Sequence, residues 1–355
     1  MKRHTRLLMV LTGCLALMLT ACSSGGEAVP ASSTTTASTV PAVTKVPTAL
    51  STVASRATTA SAAPLTSNPL TGGPLITTPV IAVKIDNTSA GLPQYGLADA
   101  DVVYVEQVEG GLTRLMGVFH TTLPREVGAV RSVRSTDAEL LPVFGAPALV
   151  FSGGAGGPLA ALATTPTVPV SEDSGGAGFS RSDSSPAPFN LHSNLQDVAA
   201  AHPGLTPPKD IGFHFVATDP RVAAGKPATS LNVTWLAANT GFTFADGHYR
   251  LQRDGTAQSD ASGAPIVADN VLFQNIKLDP DGTVDSVGSP SFISHTVGKG
   301  TFTLFRDGHA ITGTWDRPAA DQPTQYLDAA GQPVPFKPGK TWVALVPPTA
   351  SVTVS

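Results

Sequence analysis

The chain has 355 residues, 41% hydrophobic and 14% charged, with 34 Gly, 31 Pro and two Cys, a length that holds one large domain or two ordinary ones. These figures exclude a disulfide-stapled scaffold, a histone-like basic protein and a coiled coil. Beyond residue 21 the count is 19 Lys and Arg against 26 Asp and Glu, a net of −7, so no nucleic-acid partner is expected.

Lys2, Arg3 and Arg6 precede an apolar core from Leu7 to Leu19, of signal-peptide length and too short for a membrane span. The core ends in Leu19-Thr20-Ala21-Cys22, the pattern of a bacterial lipobox. Residues 1–21 are therefore expected to be removed and Cys22 to become a lipidated first residue carrying diacylglycerol and acyl chains such as palmitate. The alternative is a soluble secreted protein cut nearby. Each acyl CH₂ placed in the bilayer contributes about 0.8 kcal/mol, so the membrane is the first expected partner, with the folded part exported and facing the cell wall. Cys14 leaves with the signal, and no thiol remains for a disulfide or a nucleophile. Ser23 to Ser67 holds 19 Ser or Thr, four Pro and no aromatic residue, which reads 22–67 as a disordered tether. At about 5–6 Å × √n it spans roughly 35–40 Å.

The folded part reads as α/β (α+β), in two modules. The first, 68–227, is a layered mixed sheet with short helices; the second, 228–355, is mostly antiparallel β. Strands are expected at Val80 to Asp86, Asp101 to Glu109, Leu112 to His120 and Ala148 to Ser152, and helices at Asp137 to Phe144, Pro158 to Ala163 and Asn194 to His202. A Pro-rich crossing over 206–228 contains a possible strand from Ile211 to Val216. Downstream, Asp246-Gly247, Asp254-Gly255 and Asp307-Gly308 are turn dipeptides, the last joining Thr301 to Arg306 with His309 to Trp315 as a hairpin.

The window 101–139 carries the chemistry. If Gly110-Gly111 is a two-residue hairpin loop, Glu109 opposes Leu112, Gln107 opposes Arg114 and Asp101 opposes His120. Glu109, Gln107 and Arg114 then share one face, while Glu106 points to the other beside Tyr104. Glu106 and Glu109 are therefore not a carboxylate dyad of the glycosidase kind. Glu109 and Arg114 form either an ion pair at the hairpin tip or a ligand-facing pair. Asp101 and His120 form either a strand-end hydrogen bond or an oriented base.

Arg114, Arg125, Arg131 and Arg134 fall within 21 residues of a net acidic body. Thr136 to Glu139 fits a capping box, which would set a helix start directly behind Arg131-Ser132-Val133-Arg134. Guanidinium groups and free helix N–H groups together would hold phosphate or carboxylate; the alternative is surface pairing with Glu126, Asp137 and Glu139. Close behind, the apolar run ending at Phe151 leads into Ser152-Gly153-Gly154-Ala155-Gly156-Gly157, which is either an anion cradle or a packing turn, and which matches neither a P-loop nor a dinucleotide fingerprint. If both loops leave the carboxyl ends of neighbouring strands they line one crevice, where open α/β sheets bind ligands. The candidate site is Glu109, Arg114, Arg131, Ser132, Arg134, Ser152, Gly153 and Gly154.

Other patterns are weaker. The histidines after residue 190 show no pair at zinc-ligand spacing, Asp279 to Asp285 reads as a turn rather than a calcium loop, and no Gly-x-Ser-x-Gly elbow occurs. No metal or other cofactor is expected. Trp235, Trp315 and Trp342 lie in β-like runs and read as core.

Lys84-Ile85-Asp86-Asn87, Pro93-Gln94-Tyr95-Gly96-Leu97, Ala100-Asp101-Val102-Val103-Tyr104, Val108-Glu109-Gly110-Gly111-Leu112-Thr113-Arg114 and Val130-Arg131-Ser132-Val133-Arg134 resemble the YerB-like bacterial lipoproteins. So do Gly313-Thr314-Trp315 and Gly331 to Val346, with Pro338-Gly339-Lys340-Thr341-Trp342 at its centre. Many relatives carry glutamate directly after the tyrosine, where this chain has Val105 before Glu106. The resemblance implies a two-part envelope lipoprotein with a layered α/β first module, in a family whose function is unknown.

Without a complete catalytic constellation, the residues favour a non-enzymatic envelope lipoprotein that recognises an anionic ligand or partner. One alternative is a wall-modifying enzyme using Asp101 and His120, or Glu106 with Arg114. The other is a scaffold for a membrane-bound wall synthase.

Overall fold

A computed structural model describes residues 64–183, 185–285 and 288–355. The expected signal peptide, Cys22 and nearly all of the tether lie outside the described residues.

Apolar alternation and apolar runs build an eleven-stranded mixed sheet. Its main path runs Lys226–Pro227, His309–Arg317, Gly298–Arg306, Asn270–Asn275, Thr341–Val346, Val102–Gln107, Thr113–Phe119, Ile81–Asp86, Ala148–Phe151 and Val168–Ser171, with Gln325–Asp328 pairing beside His309–Arg317. Thr341–Val346 lies parallel to both neighbours, Asn270–Asn275 and Val102–Gln107. All six of its residues are buried, as a continuous apolar run covered on both faces should be. Strands from 68–227 and from 228–355 thus share one sheet. A second, six-stranded antiparallel sheet comes wholly from the later stretch, in the order Thr256–Ala257, His248–Arg253, Asn239–Ala245, Ser230–Thr234 and Ser351–Val354, with Val267–Ala268 beside His248–Arg253. The fold class is α+β, as the residue patterns predict.

The large sheet has two buried faces. Ile81, Val83, Ile85, Val103, Val105, Leu115 and Trp342 join one core with Leu231, Trp235, Phe242 and Tyr249 of the second sheet. Val80, Ala82, Val102, Tyr104, Met116 and Val343 join the other, beneath Leu140, Leu141, Phe144 and Phe336. Trp235, Trp315 and Trp342 are all core residues.

Helices fall near their expected places. Ser135–Leu140 continues into a 3-10 turn, Leu141–Phe144; Gly156–Ala163 and Leu195–Ala201 follow. Asn194 caps the last of these, its Oδ1 accepting from the Gln196 amide at 3.0 Å and holding one of the otherwise free first-turn N–H groups. Asp307 and Gly308 have φ of 50° and 75°, the left-handed pair that a two-residue hairpin turn needs, and the strands it joins extend to Gly298 and Arg317. Of the Ile211 to Val216 run, only His214–Phe215 is strand, parallel to Pro335–Phe336. Among the described residues, no helix is long and apolar enough to cross a membrane.

The first hairpin departs from its expected register. Glu109–Gly111 forms a 3-10 turn of three residues rather than a two-residue loop, with the Val108 amide donating to Leu112 O at 2.8 Å. Glu106 therefore opposes Arg114, and Gln107 opposes Thr113. The one-residue change moves Glu106 onto the face of Arg114 and removes Gln107 from it.

Gly110 and Gly111 both have positive φ, 65° and 74°, but they meet different surroundings. A Cβ on Gly110 would meet nothing within 4 Å, whereas one on Gly111 would sit 2.4 Å from Leu236 Cβ. Urea unfolding of Gly110→Ala should show a loss of about 1–2 kcal/mol from the left-handed backbone alone. Gly111→Ala should lose about 1–3 kcal/mol more through overpacking. Equal losses would mean that the Gly111–Leu236 contact yields without cost.

Candidate functional site

Side chains alternate across a strand, so the face that carries Val80, Ala82, Val102, Tyr104, Met116 and Val118 continues into Lys84, Asp86, Glu106 and Arg114. An apolar sheet face thus ends in four charged groups. Asp86 lies opposite Arg114 on one side, and Glu106 lies opposite it on the other.

Lys84 and Glu106 are almost wholly buried, as is Asp137. The Lys84 ammonium donates to Asp137 Oδ1 at 2.8 Å and to Glu106 Oε1. Burial pushes the Glu106 carboxyl up, Lys84 opposes this, and Asp137 adds to it. Two carboxylates around one ammonium leave a net negative charge in a dry place, so the Glu106 carboxyl is held above the usual carboxylate range.

Asp137 has a second task. Its Oδ2 accepts the Arg134 amide at 2.8 Å, the return half of a capping box, with Arg134 as an N-cap whose own side chain makes no cap bond. The helix therefore starts at Ser135, ahead of the expected cap at Thr136. The Thr136 hydroxyl accepts the Ser294 amide at 3.0 Å, and Glu139 takes the amides of Thr296 and Val297 at 2.7 and 3.1 Å. Both residues of the expected box fasten the later hairpin instead.

Above this floor, Glu109, Arg114, Arg131, Ser132, Arg134 and Gly154 line a single cavity of about 610 Å³. Arg134 donates to Glu109 Oε2 at 2.6 Å, and Ser291 donates to Glu109 Oε1 at 2.6 Å. Burial raises the Glu109 carboxyl, but these two hydrogen bonds, the charge of Arg134 and a backbone hydrogen bond together outweigh it and hold the group below the usual carboxylate range. Arg131 Nε lies 3.1 Å from Asp86 Oδ2, and its guanidinium carbon sits 5.3 Å from the Phe189 ring centroid, a cation–π contact. Arg114 donates to Ser132 O at 3.2 Å. It forms no ion pair among the described residues, so the expected Glu109–Arg114 pair is replaced by Glu109–Arg134. Burial, with Arg134 close by, brings the Arg114 pKa down to about 10. It still carries its charge at neutral pH.

The glycine loop takes two parts. Ser152 donates its amide to Arg131 O at 2.9 Å, and Gly153 O accepts from Val133 at 3.1 Å. These two residues lace the loop to the arginine segment, while Gly154, Ala155, Gly156 and Pro158 face the cavity. Val284, Asp285 and Ser291 complete the wall. They come from the hairpin Lys277–Val284 and Pro290–His295, where Asp279 to Asp285 was expected as a simple turn. Arg125 is exposed and lines none of it.

Sequence reasoning missed Lys84, Asp86, Asp137 and Ser291. A signal for the first was present: a lysine between Val83 and Ile85 in an apolar strand has nowhere to go but inward or to an edge. Asp101 Oδ2 accepts the backbone amides of His120 and Thr121 at 2.7 and 2.8 Å, so the carboxylate secures a strand end rather than orienting the imidazole. Burial pushes the His120 pKa down, partly against the pull of Asp101.

Residues 65–207 match the N-terminal domain, and residues 231–343 the C-terminal domain, of the family described as Protein of unknown function (DUF3048). The chain belongs to this family. A curated relative, the Bacillus subtilis (strain 168) protein named "Putative lipoprotein YerB", is 26% identical over 291 residues, covering 78% of this chain and 83% of the relative. The crystal structure of the YerB protein from Bacillus subtilis superposes with a TM-score of 0.67 at 23% identity, over 81% of this chain and 99% of that one. That likeness establishes the shared fold of the family.

The buried cluster makes two predictions. Lys84→Met leaves two buried carboxylates without their cation and should cost about 3–5 kcal/mol in urea unfolding at neutral pH. A carboxyl raised by folding stabilises the fold while protonated; that contribution is complete below about 4.5 and is lost as pH rises through the raised value. The unfolding free energy of the wild type relative to Glu106→Gln should therefore fall from pH 4.5 towards 7. A flat difference across that range would contradict the raised value.

Proposed function

We propose that this chain is an envelope lipoprotein that binds an anionic group in the arginine cavity without transforming it. Its lipoprotein relative supports the envelope assignment, and the lipobox at Cys22 supplies the anchor in this reading. The folded part then works within the reach of its tether, on the wall side of the membrane.

One observation carries the binding assignment. Three guanidinium groups line a single cavity, and one of them, on Arg114, has no carboxylate partner among the described residues. Arg131 and Arg134 are each held by an acid, Asp86 and Glu109, so they are oriented in advance. Fixed donors lose little freedom on meeting a ligand. Charge-assisted hydrogen bonds from guanidinium suit phosphate or carboxylate oxygens. Two observations support binding over catalysis: the Asp101 carboxylate accepts backbone amides, and Glu106, although opposite Arg114, is buried against Lys84 outside the cavity lining.

Arg114 is the residue to change, because its removal breaks no ion pair. With pyrophosphate and a purified phosphate-bearing wall polymer as probes, Arg114→Ala should weaken binding at least tenfold in calorimetric titration, with a melting temperature within a few degrees of the wild type. Undiminished binding by a folded variant would remove the assignment.

A further inference from the structure

The cavity has a second kind of wall. Gly156–Ala163 reads Gly-Gly-Pro-Leu-Ala-Ala-Leu-Ala, a helix without one polar side chain. Only Pro158 and Leu162 of its eight residues are buried. Leu159, whose Cγ lies 3.3 Å from where a Cβ on the cavity-lining Gly154 would sit, is 39% exposed, and Val284, which lines the cavity, is 56% exposed. The helix and the Val284 strand abut, since a Cβ on Gly157 would lie 2.5 Å from Thr283 Cγ2. Apolar side chains from both elements thus border the cavity that holds the guanidinium groups. Apolar patches with a charged border mark binding surfaces on soluble proteins, and a small water-soluble anion has no use for this one.

Within the cavity, Arg134 is 6% exposed, and its Nε–H has no hydrogen-bond partner among the described residues. Charge and apolar surface side by side complement an amphiphile whose head is anionic and whose tail is hydrocarbon.

We propose that the occupant is a membrane lipid bearing a terminal phosphate, its headgroup on Arg114 and Arg134 and the first part of its chain along Leu159 and Val284. This rests on the anion-binding reading above and narrows it to one ligand class. The arginines set the position of the phosphate. The apolar border adds the affinity that burying hydrocarbon supplies, and it separates a lipid from a free phosphate or a polymer of the same charge.

The test uses the full-length chain and ligands that stay monomeric. Dihexanoyl phosphatidic acid, below its micelle concentration, should bind at least tenfold more tightly than glycerol 3-phosphate. Dihexanoyl phosphatidylcholine, with the same chains and no net charge, should bind at least tenfold more weakly than the phosphatidic acid. Leu159→Ser and Val284→Ser should each reduce the advantage over glycerol 3-phosphate to below threefold, with folding followed by melting temperature. Equal affinity for phosphatidic acid and glycerol 3-phosphate would overturn the lipid assignment and leave the anion site standing. Binding of neither would overturn both, and so would phosphatidic acid binding that survives Arg114→Ala.

Discussion

The site depends on a single ammonium group. Lys84 sits where an apolar strand face would otherwise continue, shared between Glu106 of the neighbouring hairpin and Asp137 of the first helix. Taking three charges out of water costs several kcal/mol per ion, and only close pairing offsets it. The arrangement is therefore poor evidence for stability and good evidence for positioning. Asp137 caps Arg134 with its other oxygen, and the Lys84 carbonyl accepts the Arg131 amide at 2.9 Å. Two of the three cavity arginines are thus placed by one residue, through its side chain on one path and its backbone on the other.

The later part of the chain reaches over to finish what the earlier part begins. Ser291 holds Glu109, Asp281 accepts from Ser135 at 2.7 Å, and Arg317 donates to Glu139 O at 2.9 Å near the end of the first helix. A cation at that end also suits the helix dipole. The cavity is a joint product of both family domains.

Patterns confined to one segment were legible in the residues. The Asp307-Gly308 hairpin, the Asn194 helix start and the strand from Ile81 all follow from turn chemistry, capping and alternation, which act over a few residues. The arginine segment and the glycine loop do meet, but not as two loops of one sheet: the former follows Val127–Gly128 of a separate three-stranded sheet, and backbone bonds from Ser152 to Arg131 and from Val133 to Gly153 join them. The hairpin register was not legible. Glu109 is drawn out of its strand by partners 25 and 182 residues away, and no local rule contains that pull. The helix start failed for a related reason: Asp137 answers to Lys84, which lies 53 residues earlier. Long-range electrostatics decided both outcomes, and it moved Glu106 and Arg114 onto the same side.

The placement of Thr341–Val346 governs when the molecule can become whole. This strand lies between Val102–Gln107 and Asn270–Asn275, yet it follows both of them in the chain. Until it arrives, each half presents a bare row of amides and carbonyls, the kind of open border that invites pairing with another chain. Closure joins residues more than two hundred positions apart, a slow event by the entropy of the loop alone. Maturation is consequently gated by the late arrival of this strand, and a nascent chain that has not yet presented it keeps the gap unfilled.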